Sequence, residues 1–405
     1  MDINSYVAQK TPLFLRHKIK EEGFIELFNL EKEMCRVDVS IKYVETASFF
    51  PEHVFIRGEN KHYILWDINY WVLFNWFMED YNDFLYMRKE GLERASNHFS
   101  RTFMFYLSQM MSDIPSMSFV CALECLKFFN LSDFTTEDLD SVMDLKKQID
   151  DKNNRISYFS KMFSFHHELT HVIMSNNSDK KIEIQDVTTS VVKILKENLH
   201  EFTSDSNKNE MDKLLDLMLE GKSTKIIEEV QCDFHAFINA SNLLFALHPD
   251  ENKSDLLIEF MESFCLSSMF QNYLRSLHVF WRAYYKSIKN AANEKEFSIA
   301  FAEVGKEVSY QAQMSHLRNS VVLHLAEIFS GIRHGLVKRP NPIYNCRAYR
   351  DVMVPTIDKL IEVEYMVHLV YKAIDVEKVS SSVKSIQEAA KLVISSMYLL
   401  RNGDL

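Results

Sequence analysis

The pentapeptide His167-Glu168-Leu169-Thr170-His171 is the part of the sequence whose residue types and spacing point most directly to chemistry. Side chains four residues apart lie on one face of an α-helix, so the imidazoles of His167 and His171 can bind one metal ion from the same side. Glu168 lies next to them and can act as a general base toward a water molecule beside that ion. The pattern therefore predicts a hydrolase with one zinc ion per chain and Glu168 as its catalytic base.

The residues around the pentapeptide favour the helix that this spacing requires. Residues 155–175 contain neither Gly nor Pro, and their apolar side chains recur at helical spacing. These side chains are Ile156, Phe159, Met162, Phe165, Leu169, Val172 and Ile173. We expect the helix to pack through this stripe and to present its histidines to a cleft on the other side.

A catalytic zinc site needs a third protein ligand and keeps a fourth position open. The metzincin pattern requires a Gly and a His at the third and sixth positions after the second His of the motif. Here these positions hold Met174 and Asn177, so the metzincin pattern is excluded. Another class of zinc peptidase takes its third ligand, a Glu, from a later helix.

Such a helix is predicted over residues 225–247, which carry an apolar stripe at helical spacing. Glu229 and Asp233 are four residues apart and share one face of it. We predict that Glu229 binds the zinc and that Asp233 accepts the free ring N–H of a zinc-binding histidine. The adjacent Glu228 points about 100° away on a helix, so Glu229 is favoured as the ligand.

With His167, Glu168, His171, Glu229 and Asp233 in these positions, the chain resembles the gluzincin group of zinc metallopeptidases. The resemblance covers two helices, and the separation between them is longer than in thermolysin-like enzymes. It implies a zincin-like core and endopeptidase activity on a protein or peptide substrate. The G-x-M-E-N signature of gluzincin aminopeptidases is absent, which disfavours that branch.

The run His166-His167-Glu168-Leu169 and the acidic second helix are also similar to soluble bacterial phage-exclusion peptidases of the Lit type. This resemblance implies a role in intracellular defence against phage through cleavage of a host translation factor.

A regulatory or scaffold protein with a structural or vestigial zinc site is the alternative to an enzyme. The large helical regions outside the motif could bind partners. Glu168 favours the enzyme, because a structural zinc site has no use for a general base.

Composition favours a folded, mainly helical protein. Hydrophobic residues make up 47% of the 405 residues, and only 8 Gly and 7 Pro are present to interrupt helices. The net charge of −11 disfavours a nucleic-acid partner or an anionic membrane surface. The 6 Cys residues show no C-x-x-C spacing.

Because we find neither a secretory signal nor an apolar run of the ~18–20 residues that a membrane span needs, we expect a cytoplasmic protein. The oligomeric state stays open.

Strand patterns lie near the N-terminus. Residues 36–43 alternate apolar and polar side chains, and residues 53–57 and 62–66 flank Gly58-Glu59-Asn60 like the arms of a hairpin. We therefore expect a mainly α protein, α+β overall, with a small antiparallel sheet in residues 1–70. A helical metallopeptidase region would follow over residues 71–405, with zinc helices near 155–175 and 225–247 and further helices over 252–401. We also hypothesise that the sheet lies beside the cleft.

The segment from Gly331 to Pro342 is rich in Gly and Pro and is predicted to be a loop. Loops on a rigid scaffold often carry function. Arg333, His334, Tyr344 and Arg347 are therefore candidates for contacts to the substrate or to an oxyanion. The alternative is that the segment is only a surface connection.

Overall fold

The protein is mainly helical, with one small sheet. The computed structural model describes residues 2–10, 38–44, 51–68, 70–71, 74–75, 77–78, 136–198, 205–222, 224–283 and 294–334. In chain order the elements are α1 (Ile3–Lys10), β1 (Val39–Val44), β2 (Glu52–Ile56), β3 (Lys61–Asp67), α2 (Thr136–Asn176), α3 (Ser178–Glu197), α4 (Asp205–Leu219), α5 (Lys225–Leu247), α6 (Lys253–Ala283) and α7 (Glu294–His334). The predicted fold class is confirmed. Among the helices described, none combines the length and the apolar character needed to cross a membrane.

The predicted hairpin is present as β2 and β3, which pair antiparallel with Ile56 opposite Lys61. Residues 57–60 form the turn, and the N–H of Glu59 donates to the carbonyl of Ile56 at 3.0 Å. Asn60 has a φ of 49°, in the left-handed region that Asn tolerates better than most residues. The turn chemistry of the sequence therefore sets the register of this pair.

The sheet as a whole is mixed, so the prediction of an antiparallel sheet is wrong for β1. The strand order is β1-β3-β2, and β1 runs parallel to β3 with Val39 opposite His62. Alternating side chains occur in both kinds of sheet, so the pattern could not reveal the direction of β1. The burial of β1 also departs from simple alternation. Val39 and Val44 are buried, and Val44 packs with Ile3 of α1.

Helix α2 carries the pentapeptide and is longer than predicted, beginning at Thr136 rather than near residue 155. The predicted apolar stripe is buried, apart from the partly exposed Ile173. The expectation that the other side faces a cleft is confirmed, because His167, Glu168 and His171 line one, although His166, His167 and Glu168 are themselves largely buried. Since α5, α6 and the sheet all contact it, α2 is a central helix covered on several sides.

Helix α5 spans the residues predicted for it, from Lys225 to Leu247. Gly221 ends the preceding helix α4 with a φ of +67°, and the N–H of Lys222 donates back to the carbonyl of Leu217 at 3.1 Å. This is the Schellman type of helix end, for which glycine is the usual residue. The chain therefore turns sharply before α5 begins.

Helix α7 continues through Gly331 to His334, so the predicted loop does not begin at Gly331. A single Gly lowers helix stability by about 1 kcal/mol but does not end a helix unless the chain turns there. Arg333 and His334 consequently lie in the last helical turn. Tyr344 and Arg347 lie outside the described residues.

Aromatic side chains join the sheet to the helices. Trp66 at the end of β3 stacks on Trp71, with ring centroids 5.1 Å apart. Tyr70 and Phe74 then contact Phe270 of α6 at 5.0 and 5.4 Å. Large buried rings of this kind make the positions of the sheet and of α6 depend on each other.

Candidate metal centre

Three predicted ligands come together between α2 and α5. Nε2 of His167 and Nε2 of His171 lie 3.2 Å apart. The Glu229 carboxylate lies 3.6 Å from the first nitrogen and 3.8 Å from the second. Ligand atoms around a tetrahedral zinc ion, with bonds of about 2.0–2.1 Å, are separated by roughly 3.3 Å. The donor types and their spacing therefore fit a zinc ion, and among the described residues this is the group that could hold a metal.

The neighbouring Glu228 lies at the edge of this arrangement. Its carboxylate is 4.0 Å from Nδ1 of His171, the ring nitrogen that faces away from His167, and its side chain is 49% exposed. The side chain of Glu229 is 22% exposed and faces both Nε2 atoms. The helical phase of α5 thus places Glu229 with the histidines, as the sequence predicts.

Asp233 lies one helical turn after Glu229 and contacts the other side of the His167 ring. Its Oδ1 is 2.8 Å from Nδ1 of His167, and the side chain is 1% exposed. Burial opposes a charge on His167, but the surrounding carboxylates, Asp233 first among them, together outweigh this effect and raise the pKa of the imidazole. Asp233 therefore lies where it can accept the Nδ1–H of His167 and orient the ring, as the sequence predicts for a carboxylate behind a ligand.

Arg318 of α7 completes the charge balance. It donates through Nε and Nη2 to the two oxygens of Asp233, the second at 2.7 Å, and its Nη1 lies 2.7 Å from Glu229 Oε2. Burial alone would raise the pKa of both carboxyls, but Arg318, together with His167, outweighs this and lowers both values. Glu229 and Asp233 are therefore ionised, and one guanidinium leaves one negative charge for a bound cation.

The two carboxylate oxygens of Glu168 have different neighbours. Its Oε2 accepts a hydrogen bond of 2.6 Å from the backbone N–H of His53 in β2, and its Oε1 lies 3.8 Å from Nε2 of His167. Burial raises the pKa of Glu168 to about 8. In the metal-free protein this carboxyl is therefore mostly protonated at pH 7, and a cation bound beside it would favour the ionised form that accepts a proton.

The ring of His171 is kept neutral by its surroundings. Burial, with the neighbouring His167 adding to the effect, lowers the pKa of His171 to about 3. A neutral imidazole keeps the lone pair that a metal ligand requires. The ring is therefore ready to bind a cation without first losing a proton at pH 7.

These groups line an open cleft with a volume of about 360 Å³. Its walls come from β2, α2, α5, α6 and α7. Phe163 connects the site to α6, because its ring lies 6.3 Å from His167 and 4.8 Å from Phe264. The expectation that the sheet lies beside the cleft is confirmed by Glu52 and His53, which line it.

The sequence prediction missed Arg318, His53 and Cys232, all of which contact the predicted residues. Arg318 carried a detectable signal, because it precedes the buried Val321 and Val322 by three and four residues on α7. An Arg that lies on the same helix face as buried apolar residues needs an acidic partner. His53 contributes its backbone, which no pattern of side chains reveals. Arg333 and His334, the predicted contacts, belong to the end of the same helix.

The chain matches no protein-family model, and comparisons with curated proteins and with solved structures give no match either. The geometry of the site therefore carries the functional argument.

Proposed function

We propose that the protein is a zinc-dependent metallopeptidase of gluzincin type that hydrolyses peptide bonds in a protein or peptide substrate. One observation carries this proposal. The Nε2 atoms of His167 and His171 and the carboxylate of Glu229 converge beside Glu168 in an open cleft. Two imidazoles and one carboxylate are a donor set of catalytic zinc sites, which keep the fourth position for water or substrate.

The residues around the metal position have separate roles. Bound zinc would supply the Lewis acidity that polarises a peptide carbonyl and makes water a nucleophile near neutral pH. Glu168 would take the proton of the attacking water through Oε1, while the N–H of His53 holds Oε2 in place. Glu168 would then pass this proton to the leaving amine. Asp233 would keep the ring of His167 in the orientation that binding requires.

A regulatory or scaffold protein with a structural or vestigial zinc site remains the alternative function. Structural zinc sites are closed by four protein ligands. In the described part of the chain, three candidate ligands converge here, and they line a cleft. The open cleft and the buried general base favour catalysis over a structural role.

The test separates metal binding from catalysis. Zinc is counted by mass spectrometry in the wild type, in His171→Ala and in Glu168→Gln. We expect one zinc ion per chain in the wild type and in Glu168→Gln, and less in His171→Ala, because Glu168 is not a ligand. Loss of zinc from Glu168→Gln would show that the roles are assigned wrongly.

Catalysis is then tested by incubating the zinc-loaded wild type and Glu168→Gln with a cytoplasmic lysate and sequencing the new peptide ends. We expect cleavage by the wild type and a loss of several orders of magnitude in Glu168→Gln. Full zinc occupancy without any cleavage would instead support the structural alternative.

We propose the cytoplasm as the site of action and defence against phage as the biological role, on the strength of the Lit-type resemblance. Its test is the number of plaques on bacteria that produce the wild type or Glu168→Gln. Fewer plaques with the wild type alone are expected. Equal numbers would refute the defence role while leaving the peptidase proposal intact.

A further inference from the structure

The second ring nitrogen of His171 faces a thiol. Nε2 of this ring points to His167 and Glu229, whereas Nδ1 lies 3.4 Å from Sγ of Cys232. Cys232 follows Glu229 on α5, is fully buried and forms no disulfide. A sulfur atom at this distance is within the range of a hydrogen bond to a ring N–H.

The hydrogen bonds around this sulfur can be assigned from the chemistry of the ring. When Nε2 of a neutral imidazole binds a metal, the ring proton is on Nδ1 and needs an acceptor. The Cys232 sulfur can accept it, because its own proton has a different partner, Sδ of Met174 at 3.6 Å. Cys232 is fully buried, and a thiol in apolar surroundings is uncharged at neutral pH. Two successive hydrogen bonds therefore connect the three side chains, from His171 to Cys232 and from Cys232 to Met174.

Glu228 is the other possible acceptor for the N–H at Nδ1 of His171, and it is less well placed than Cys232. The Glu228 carboxylate is 4.0 Å from the same Nδ1, beyond hydrogen-bonding distance, and its side chain is half exposed to solvent. Cys232 is closer and fully shielded from water. The comparison therefore favours the thiol.

We propose that Cys232 is a positioning residue that orients the His171 ring for metal binding, an inference that rests on the proposed zinc site. One turn of α5 would then provide the ligand Glu229 together with Cys232 and Asp233, the hydrogen-bond partners of the two histidine ligands. Asp233 supports His167 with a charge, and Cys232 supports His171 with a neutral and weaker acceptor. The two histidines would consequently differ in basicity, with His167 the stronger donor.

The inference is tested by zinc dissociation constants, measured by chelator competition on the full chain. Cys232→Val keeps most of the side-chain volume and removes the acceptor, whereas Cys232→Ser keeps a hydrogen-bonding group. We expect zinc binding to weaken about 10–100-fold in Cys232→Val and clearly less in Cys232→Ser. Cys265→Val replaces another buried cysteine, on α6, and controls for the loss of a buried thiol. It should bind zinc like the wild type, as should Glu228→Gln.

Cobalt substitution gives a readout that a purely structural role of Cys232 would not change. The cobalt-loaded wild type should lack a sulfur-to-cobalt charge-transfer band, because the thiol lies behind the ligand and does not bind the metal itself. The d–d bands should shift in Cys232→Val and return toward the wild type in Cys232→Ser.

Three outcomes would overturn the inference, and each differs from failure of the zinc site. Zinc binding by Cys232→Val that equals binding by the wild type would show that the thiol does not orient the ring. Equal weakening of zinc binding in Cys232→Val and Cys232→Ser would show the same. A charge-transfer band in the wild type that Cys232→Val abolishes would make Cys232 a direct ligand. If His171→Ala also binds zinc like the wild type, the proposed metal site itself is wrong. Thermal unfolding of each metal-free variant identifies any that do not fold, and the Ser variant then carries the comparison with the wild type.

Discussion

Arg318 and Asp233 form a bidentate ion pair behind the candidate metal ligands, with Nη2 of the arginine 2.7 Å from Oδ1 of the aspartate. The same guanidinium contacts Glu229 at 2.7 Å through Nη1. The pair connects α7 to α5, and the shared guanidinium offsets part of the repulsion between the two carboxylates. Its position makes α7 part of the site.

Replacing Arg318 by Met should therefore destabilise the metal-free protein. Two buried carboxylates would lose their shared cation, and the removal of one partner from a buried pair costs about 3–5 kcal/mol. The free energy of unfolding, measured with a chemical denaturant, tests this expectation. Lys196→Met is the control, because it breaks a more exposed contact with Asp216 and should change stability little. Equal stability of wild type and Arg318→Met would show that the ion pair contributes nothing net.

The identity of the third ligand predicts a different response from each of three acidic residues. Glu229→Ala should lose most of its zinc, whereas Glu228→Ala should keep it, because only Glu229 faces both Nε2 atoms. Asp233→Ala should weaken zinc binding by about 10–100-fold, as expected for a residue behind a ligand. Zinc content by mass spectrometry decides between them. Full occupancy in Glu229→Ala with an empty Glu228→Ala would move the ligand by one residue, and full occupancy in both would refute the gluzincin assignment.

The side of β2 that faces away from β3, an edge of the sheet in the described part of the chain, is predicted to bind the substrate backbone. Since the N–H of His53 points away from β3 and toward Glu168, the N–H of Phe55, two residues on, should point the same way. Extended peptides commonly bind such an edge through backbone hydrogen bonds. Phe55→Pro would remove one edge donor and should raise KM more than it lowers kcat, while Phe55→Ala keeps the donor and controls for the ring. Equal KM values for the two variants would exclude this edge as the binding surface.

A buried histidine away from the metal ligands predicts acid sensitivity. His235 of α5 lies between Thr170 Oγ1 at 3.3 Å and Asn239 Nδ2 at 3.1 Å, with Lys180 and Glu183 of α3 nearby. Burial lowers its pKa to about 4, so between pH 6.5 and 4 the unfolded chain binds a proton that the folded chain does not. Its contribution to stability is therefore complete above pH 6.5 and is lost as the pH falls toward 4.

The corresponding measurement is the difference in unfolding free energy between pH 7.5 and pH 5, with a chelator present. His235→Gln should lose less stability than the wild type over this interval, by up to about 2 kcal/mol, since each pKa unit is worth about 1.4 kcal/mol. His166 is also buried, and the nearby His235 lowers its pKa as well, so removal of His235 should reduce the acid sensitivity of His166 too and change the comparison in the same direction. An unchanged pH dependence in His235→Gln would show that this ring does not titrate as expected.

Local patterns in the sequence were sufficient for several elements. The helix over Lys225–Leu247, the β2–β3 hairpin and the faces shared by His167 with His171 and by Glu229 with Asp233 were all predictable. Each depends on the period of a helix or a strand or on turn chemistry, which act between residues close in the chain. The same rule identified Glu229 rather than Glu228 as the residue on the histidine side.

Only the tertiary structure decided which distant groups meet those residues. Arg318 lies far along the chain from Asp233, and the N–H of His53 reaches Glu168 only because the sheet packs against α2. The direction of β1 likewise depends on its pairing with β3 and not on its own side chains. Periodicity specifies the face on which a side chain lies, but packing between elements specifies its partner. The sequence by itself therefore determined the candidate ligands and the base, whereas the packing of α7, α5 and β2 decided their charge balance and orientation.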